Sequence, residues 1–375
     1  MKIRPIKAGK ESTASSLTGF ARRLLAAWKG HKLPTTNARV ILAASGGADS
    51  TALLLALDEL IKANKLSLTL IVAHLDHSLR KVSKKDALWV ANLAKGLGYE
   101  CVQRRTDVKK RAIKTGDNLE QAARRARYEF LKQTANEKHS LLVLTAHTLD
   151  DQAETILLRL LRGSAAEGLS GIEPLRLLDS KSRIQLARPL LSWARRIDTE
   201  NYCRGRKVDF RRDEMNQDEE FARVKVRKQL LPLMQSFNNK IVEALSRTAT
   251  LLREDAGALA NEADELLKLA SARPAGKKGE TNVPALNVIV LANAPAAVRR
   301  RALRQWIRQG RGDLRRLEMV HLVAVDRLIE GNRGGRVAEL PDGTRVVRKR
   351  GWLELDTLVG KKSLKNAPPI SRIRK

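Results

Sequence analysis

The sequence predicts an α/β protein: a doubly wound domain built on a parallel sheet, followed by a smaller, mostly helical α+β domain. Three observations carry this. Short apolar, β-rich runs alternate with helical stretches between residues 39 and 162, and such alternation implies a parallel sheet covered on both faces. A glycine-rich polar loop directly follows the first of those runs. Beyond about residue 235 the alternation gives way to one long helical periodicity.

In chain order, residues 1–37 read as an N-terminal extension, with a short amphipathic helix near Phe20 and Trp28 that ends at Gly30. Residues 40–44 form a short apolar run and read as a buried strand, and 50–62 as the helix after it. A second strand (68–73), a helix (84–97) stopped by Gly98 and a third strand (100–105) follow. Residues 118–137 read as a long helix with Asn118 as N-cap and Gln121 placed for a capping box. The fourth strand is 141–145, and the helix 151–162 stops at Gly163. Farther on, Ile241, Leu245, Leu252, Leu259, Ala263, Leu266 and Ala270 recur every three or four positions, or multiples of them, as on one face of a long helix. That face serves either an internal core or a homodimer. Residues 273–281 read as a linker and 296–309 as a strongly basic helix. Residues 335–355 read as two strands, RVAEL and TRVVRKRGWLEL, joined by Pro-Asp-Gly. The resulting division is an extension (1–37), an α/β domain (38–218), a linker helix (219–236), a helical domain ending in a β-hairpin (237–360) and a basic tail (361–375).

The 375 residues suffice for two or three domains, and 43% hydrophobic content supports packed cores. Lys and Arg number 72 against 41 Asp and Glu, a formal charge of +31, which favours a polyanion such as nucleic acid as partner. A generic solubility role for the charge is the plainer alternative. The excess is uneven: residues 296–375 carry 21 basic and 8 acidic side chains, which points to an RNA-facing surface. Only five Trp, three Tyr and five Phe are present, which argues against a base-stacking platform and leaves phosphate contacts and shape to dominate. Cys101 and Cys203 stand far apart, with no disulfide framework, zinc ribbon or CxxC spacing. No apolar run approaches a membrane span, and the basic N-terminus is followed by no apolar signal core, so a cytoplasmic location without membrane partners is expected.

Four motifs carry chemistry. The first is the loop Ser45-Gly46-Gly47-Ala48-Asp49-Ser50. Its glycines let backbone N–H groups converge on an anion, the following helix N-terminus adds partial positive charge, and two serines add hydroxyl donors. A carboxylate beside phosphates is repulsive unless a cation lies between them, so Asp49 predicts Mg²⁺. No Lys follows the glycines, so the loop is not of the Walker type. An ordinary Gly-rich turn is the bland alternative. The second motif, His74-Leu75-Asp76-His77-Ser78-Leu79-Arg80, follows the second strand. With no third His or Cys nearby it suits a wall of a nucleotide pocket better than zinc, and Arg80 suits a phosphate.

In the third motif, Glu120, Arg124 and Arg127 share one helix face. It is either a solvated ladder or a device in which Glu120 holds Arg124 toward phosphate or substrate. The fourth, running from Thr145 to Thr155, places Asp151 and Glu154 on one helix face. Acids at a helix N-terminus often only complement the dipole. In so basic a chain, a paired acidic pocket also suits a cationic substrate or a metal.

Together these motifs resemble the bacterial tRNA(Ile)-lysidine synthetases, a branch of the N-type ATP pyrophosphatases whose domain is of the adenine nucleotide alpha hydrolase kind. SGGADS, HLDHSLR, ExxARxxRY, DDQAET, RGSAAEGLSGI and Arg188-Pro189-Leu190-Leu191 occur in that family's order. The likeness is strong over about 39–235 and weaker over 237–358. It implies a ligase for which ATP adenylates C2 of the wobble cytidine (position 34) of the CAU-anticodon isoleucine tRNA. The ε-amine of L-lysine then displaces AMP to leave lysidine. By the same likeness Ser45, Gly46, Gly47, Ala48, Asp49 and Ser50 would bind the ATP phosphates, with Asp49 on Mg²⁺ and His74 and Asp76 beside the nucleotide. Arg124 would stabilise adenylation, Asp151 and Glu154 would receive the lysine, and the basic second domain would grip the tRNA. Two segments depart from the pattern: Asp213-Glu214-Met215-Asn216 and Arg223-Val224-Lys225-Val226-Arg227. A third domain of longer members reads as absent or reduced to the basic tail. Two other readings stand beside this one. A tRNA thiolase on the same fold would carry sulfur on cysteines or a cluster, and Cys101 and Cys203 offer no such pair. A non-catalytic tRNA-binding protein would need no intact loop.

Overall fold

The computed structural model describes residues 17–78, 83–179, 182–211, 222–271, 283–331 and 335–356. The chain divides into two compact units, Met1–Leu252 and Arg253–Lys375. Arg80, the 213–216 segment, the 273–281 linker and the 361–375 tail lie outside the described residues, as do residues 1–16.

The first unit runs α1 (Gly19–Gly30), β1 (Thr36–Ala43), α2 (Ala48–Lys62), β2 (Ser67–Asp76), α3 (Ser83–Gly96), β3 (Glu100–Arg105), α4 (Val108–Thr115) and α5 (Leu119–Glu137). It continues with β4 (Leu142–Leu144), α6 (Leu149–Leu161), α7 (Ala166–Leu169), β5 (Leu175–Leu177), β6 (Gln185–Ala187) and α8 (Arg196–Gly205). Next come α9 (Ala222–Lys225), a π-helical turn (Val226–Leu230) and α10 (Leu231–Phe237), and then α11 (Ile241–Ser271), within which the two units divide. The sheet order is β3-β2-β1-β4-β6-β5. All neighbours are parallel except β5, which runs antiparallel to β6.

Both faces of this sheet are covered. In β1, Val40 and Leu42 point into a core with α1, α2 and α8, whereas Ile41 points to the other side with Phe130, Leu131 and Ala135 of α5. This is the alternation a pleated strand imposes, and with both faces apolar it reads as a continuous hydrophobic run. Helix α5 begins as expected, with Asn118 Oδ1 accepting from Gln121 N at 2.9 Å. Strands β5 and β6 go beyond the four expected; three residues each is too short for a periodic signal.

Helix α1, within the segment expected as an extension, is built into the first core. Ala21, Leu24 and Trp28 are fully buried. Trp28 Nε1 donates to Pro34 O at 2.9 Å, and Phe20 stacks on Tyr202. Glu59 of α2 ties the start of this helix down, accepting from Thr18 N at 2.6 Å and from Tyr202 OH at 2.7 Å.

The second unit contains β7 (Leu286–Asn287), α12 (Val288–Ala292), α13 (Ala296–Arg311), α14 (Met319–Glu330), β8 (Val337–Glu339), β9 (Arg345–Lys349) and β10 (Trp352–Asp356). Its sheet has the order β7-β10-β9-β8 and is wholly antiparallel. The run TRVVRKRGWLEL, read as one strand, is two. Arg350 and Gly351 both take positive φ, 47° and 82°, which gives the two-residue turn that suits hairpin twist. Ala263, Leu266 and Ala270 of α11 pack in this unit's core, so that stretch of the long helix's apolar face is engaged within the chain. No helix among the described residues is long and apolar enough to cross a membrane.

Candidate active site

The chain passes from β1 outward to β2 and β3, then returns to place β4 on the opposite side of β1. Ligands of open α/β sheets bind at the carboxyl ends of the strands at such a reversal. A cleft of about 880 Å³ opens there, lined by Ser45, Gly47, Ala48, Asp49 and Ser50 from the first loop and by His74, Asp76, Arg124 and Asp151 from the other motifs.

The loop is shaped by its own side chains. Ser50 Oγ accepts from Ser45 N and donates to Gly47 O, each at 3.1 Å. Gly46 has φ 85°, and an added Cβ would lie 3.3 Å from Val90 Cγ2, so the position needs glycine on both counts. Gly46 itself lies behind the cleft wall, where its carbonyl accepts from Arg211 N at 2.8 Å. The first-turn N–H groups of α2 have no intrahelical partner and carry the positive end of the dipole. His74 is buried, and its Nδ1 donates to Ala44 O at 2.8 Å, bracing the loop from β2. Asp76 accepts from Ser78 N at 2.7 Å, fixing the turn after β2.

One wall is cationic. Arg124 lies over the Tyr128 ring at 5.1 Å, and no ion pair joins it to Glu120. The expected Glu120 clamp is therefore replaced by an aromatic one. Tyr128 lies one turn on and lines the cleft together with Arg124, whereas Glu120 does not line it. Arg127 donates to His77 Nε2 at 3.4 Å and, like Arg124, has no carboxylate partner among the described residues. Burial and then the Arg127 charge push His77 down to about 4, so it is neutral near pH 7. Burial also holds His147 well below its usual range, with the charges of Arg188 and Arg127 adding to the effect.

A second part of the lining holds the carboxylates. Asp151 accepts from Thr148 N at 2.9 Å as the capping box of α6, which starts two residues earlier than the sequence suggested. Its other oxygen faces Arg196 at 3.5 Å and Arg223 at 3.4 Å. Glu154 is fully buried and lies behind the cleft lining. It accepts from Arg227 Nε at 2.7 Å and Arg223 Nε at 2.8 Å, with Arg196 at 3.4 Å. Burial alone would raise Glu154, but the Arg227 hydrogen bond and the other guanidinium charges hold its carboxyl below the usual range. Asp150 caps α8, accepting from Arg196 N at 2.7 Å, and pairs with Arg195 at 3.1 Å. Asp49 accepts a hydrogen bond from Thr199 and faces Arg196 at 3.9 Å. Burial first, and then the Asp151 charge, raises Asp49 to about 6.

Both acids proposed for a cationic substrate thus already have arginine partners, and sequence reasoning gave those partners no such role. Arg196 and Thr199 lie more than forty residues from Asp151. Arg223 and Arg227 stood out only as the two ends of a segment whose interior departs from the family pattern. One signal was available: Arg195-Arg196 opens a helix, where the dipole disfavours cations, so carboxylates had to be near.

Comparison with known proteins agrees with this architecture. A PP-loop domain family matches residues 17–234, and a TilS substrate binding domain matches 286–354. The tRNA(Ile)-lysidine synthase of Geobacter sulfurreducens is 37% identical over 312 residues, covering 83% of this chain and 63% of that protein. The chain thus spans less than two thirds of that relative's length. The tRNA(Ile)-lysidine synthase of Salinispora tropica is 36% identical over 316 residues, 84% of this chain and 89% of its own length. A solved U34-tRNA thiolase from Methanococcus maripaludis superposes with a TM-score of 0.52 at 15% identity, covering 62% of this chain and 78% of that one, a likeness of fold.

Proposed function

This chain belongs to the tRNA(Ile)-lysidine synthase family of PP-loop proteins, and from that membership we propose that it converts the wobble cytidine of the CAU-anticodon isoleucine tRNA to lysidine. The observation that carries the reading is the pairing of an anion-receiving wall and an acidic wall in one cleft at the sheet's reversal point.

In the first step the C2 carbonyl oxygen of the cytosine attacks the α-phosphorus of ATP and pyrophosphate leaves. The α2 N-terminus and the loop hydroxyls would hold the phosphates, and Arg124 and Arg127 would offset the charge that develops on them. In the second step the ε-amine of L-lysine, as free base, attacks C2 and AMP leaves with the electron pair of the C–O bond. Asp151 would receive the lysine ammonium beforehand. Glu154 would act from behind the wall, by fixing Arg223 and Arg227. Proton transfer from the amine then has Asp151 as a nearby acceptor.

Asp49 fits a Mg²⁺ ligand. It is a carboxylate at the phosphate loop, raised to about 6 by burial and then by the Asp151 charge, and Mg²⁺ is usually bound by one or two carboxylates together with substrate phosphates. Bound there with the nucleotide, Mg²⁺ would neutralise phosphate charge. The thiols support no sulfur-carrying role: burial pushes Cys203 up to about 12, and Cys101 is raised as well.

The test combines the protein with ATP, labelled L-lysine and the CAU-anticodon tRNA transcript, with a wobble-U transcript as control. Label should transfer to the first RNA alone. No transfer to either would refute the reading.

A further inference from the structure

The acidic wall already contains a cation of the protein's own, and it makes only long contacts to the carboxylates around it. Arg196 stands among three carboxylates, 3.9 Å from Asp49 Oδ2, 3.5 Å from Asp151 Oδ1 and 3.4 Å from Glu154 Oε1. None of these is a close hydrogen bond. By contrast Arg227 and Arg223 reach Glu154 at 2.7 and 2.8 Å, and Arg195 reaches Asp150 at 3.1 Å. Arg196 is also the first residue of α8, where the helix dipole works against a cation. Its side chain lines the cleft, as do those of Arg223 and Arg227, and is 28% exposed.

The charges balance only with Arg196 in place: Asp49, Asp151 and Glu154 face Arg196, Arg223 and Arg227. A further cation entering between Asp49 and Asp151 meets the Arg196 guanidinium and an already neutral cluster. Arg223 and Arg227 are anchored on buried Glu154, so Arg196 is the member free to yield.

We propose that Arg196 is a tethered counter-ion that holds the cation position between Asp49 and Asp151 in the ligand-free protein and swings into the cleft when a cationic ligand takes that position. This rests on the proposed function for the identity of the ligand. Two sources share the chemistry, a divalent metal and the ammonium of L-lysine. Arg196 is then a positioning residue that delays occupancy of the acidic wall until a competing cation arrives.

Calorimetric titration of the full chain without nucleotide or tRNA tests this, using MgCl₂ and L-lysine in separate arms at low ionic strength. Arg196→Ala should bind one of the two up to about fivefold more tightly than the wild type, the order expected on removing a partly exposed ionic competitor. Arg196→Lys, which keeps the charge, should stay near wild type. The arm that gains identifies the ligand. If Arg196→Ala binds both as the wild type does, or more weakly, the proposal is overturned. Should Arg196→Ala fail to fold, the Arg196 Nε–H resonance of the wild type gives an independent answer. A shift on saturation with either cation supports release, and an unchanged resonance with both overturns it. Neither measurement involves RNA, so failure here is distinct from failure of label transfer.

Discussion

Replacing Asp49 by Asn should stabilise the ligand-free protein at neutral pH while impairing its use of ATP. Burial and the neighbouring Asp151 raise the Asp49 carboxyl from 3.8 to about 6, against the pull of Thr199 and Arg196. A carboxyl with a folded-state pKa above its unfolded value binds its proton more tightly when folded. Its protonated form therefore favours the fold at low pH, and stability is lost as pH rises from about 4 to about 6. At about 1.4 kcal/mol per pH unit, the ionised side chain costs up to ~3 kcal/mol at pH 7.5. That is an upper bound, because an amide accepts more weakly than a carboxylate from Thr199. For a unit of this size each kcal/mol moves the melting point by about 2–4 °C, so Asp49→Asn should melt several degrees higher. Thermal melts in EDTA without nucleotide, at pH 7.5 and pH 4, provide the assay. The gain should be present at pH 7.5 and vanish at pH 4. A variant melting at or below wild type at pH 7.5, or a gap equal at both pH values, would refute the reasoning.

Trp28→Ala should destabilise the first unit by about 3–5 kcal/mol, read as a lower urea midpoint, because a fully buried indole and its bond to Pro34 are lost. Glu154→Gln should cost about 3–5 kcal/mol by leaving Arg196, Arg223 and Arg227 short of a buried counter-charge. Glu154 is held below its usual range, so its stabilisation is present above the unfolded pKa and lost as pH falls, and this deficit should shrink below about pH 4. Asp151→Asn keeps an acceptor for Thr148 N and should leave the melting point within about 1–2 °C of wild type while raising the KM for lysine, as steady-state kinetics would show. In the second unit, a Cβ added at Gly310 would lie 2.1 Å from Leu355 Cδ2, so Gly310→Ala should destabilise by about 1–3 kcal/mol in chemical denaturation.

The parts legible in the sequence are those written contiguously. Val40, Ile41 and Leu42 are apolar because both faces of β1 are covered, and the loop that follows is polar because it crosses the open end of the sheet. A short amphipathic helix between Phe20 and Gly30 was expected from the sequence. That the helix docks on α2 depends on Glu59, some forty residues away, which no local pattern reveals. The hairpin turn at Arg350-Gly351 lacked the Asn-Gly or Asp-Gly signature and sits in a basic run that looks like a continuous edge strand. The same limit applied to the site. Asp151 and Glu154 were found from their spacing, but their arginines arrive from α8, α9 and the π-helical turn. A carboxylate pair read alone appears vacant; only the fold shows that it is filled.

That filling changes which groups can set a pH response. On the cationic wall, His77 and His147 are held neutral, so the charge there rests on the guanidiniums of Arg124 and Arg127. On the acidic wall, Glu154 is pulled down by its arginines, away from neutrality, while Asp49 is pushed up to about 6. Of these groups, only Asp49 changes charge in the ligand-free protein between pH 5 and 7. Cation binding to the free protein should therefore weaken as pH falls through 6, because protonated Asp49 offers no charge. The response should disappear in Asp49→Asn. A titration of Mg²⁺ affinity against pH in both proteins decides this: an equal pH slope in the two would place the titrating group elsewhere and remove Asp49 from the cation site.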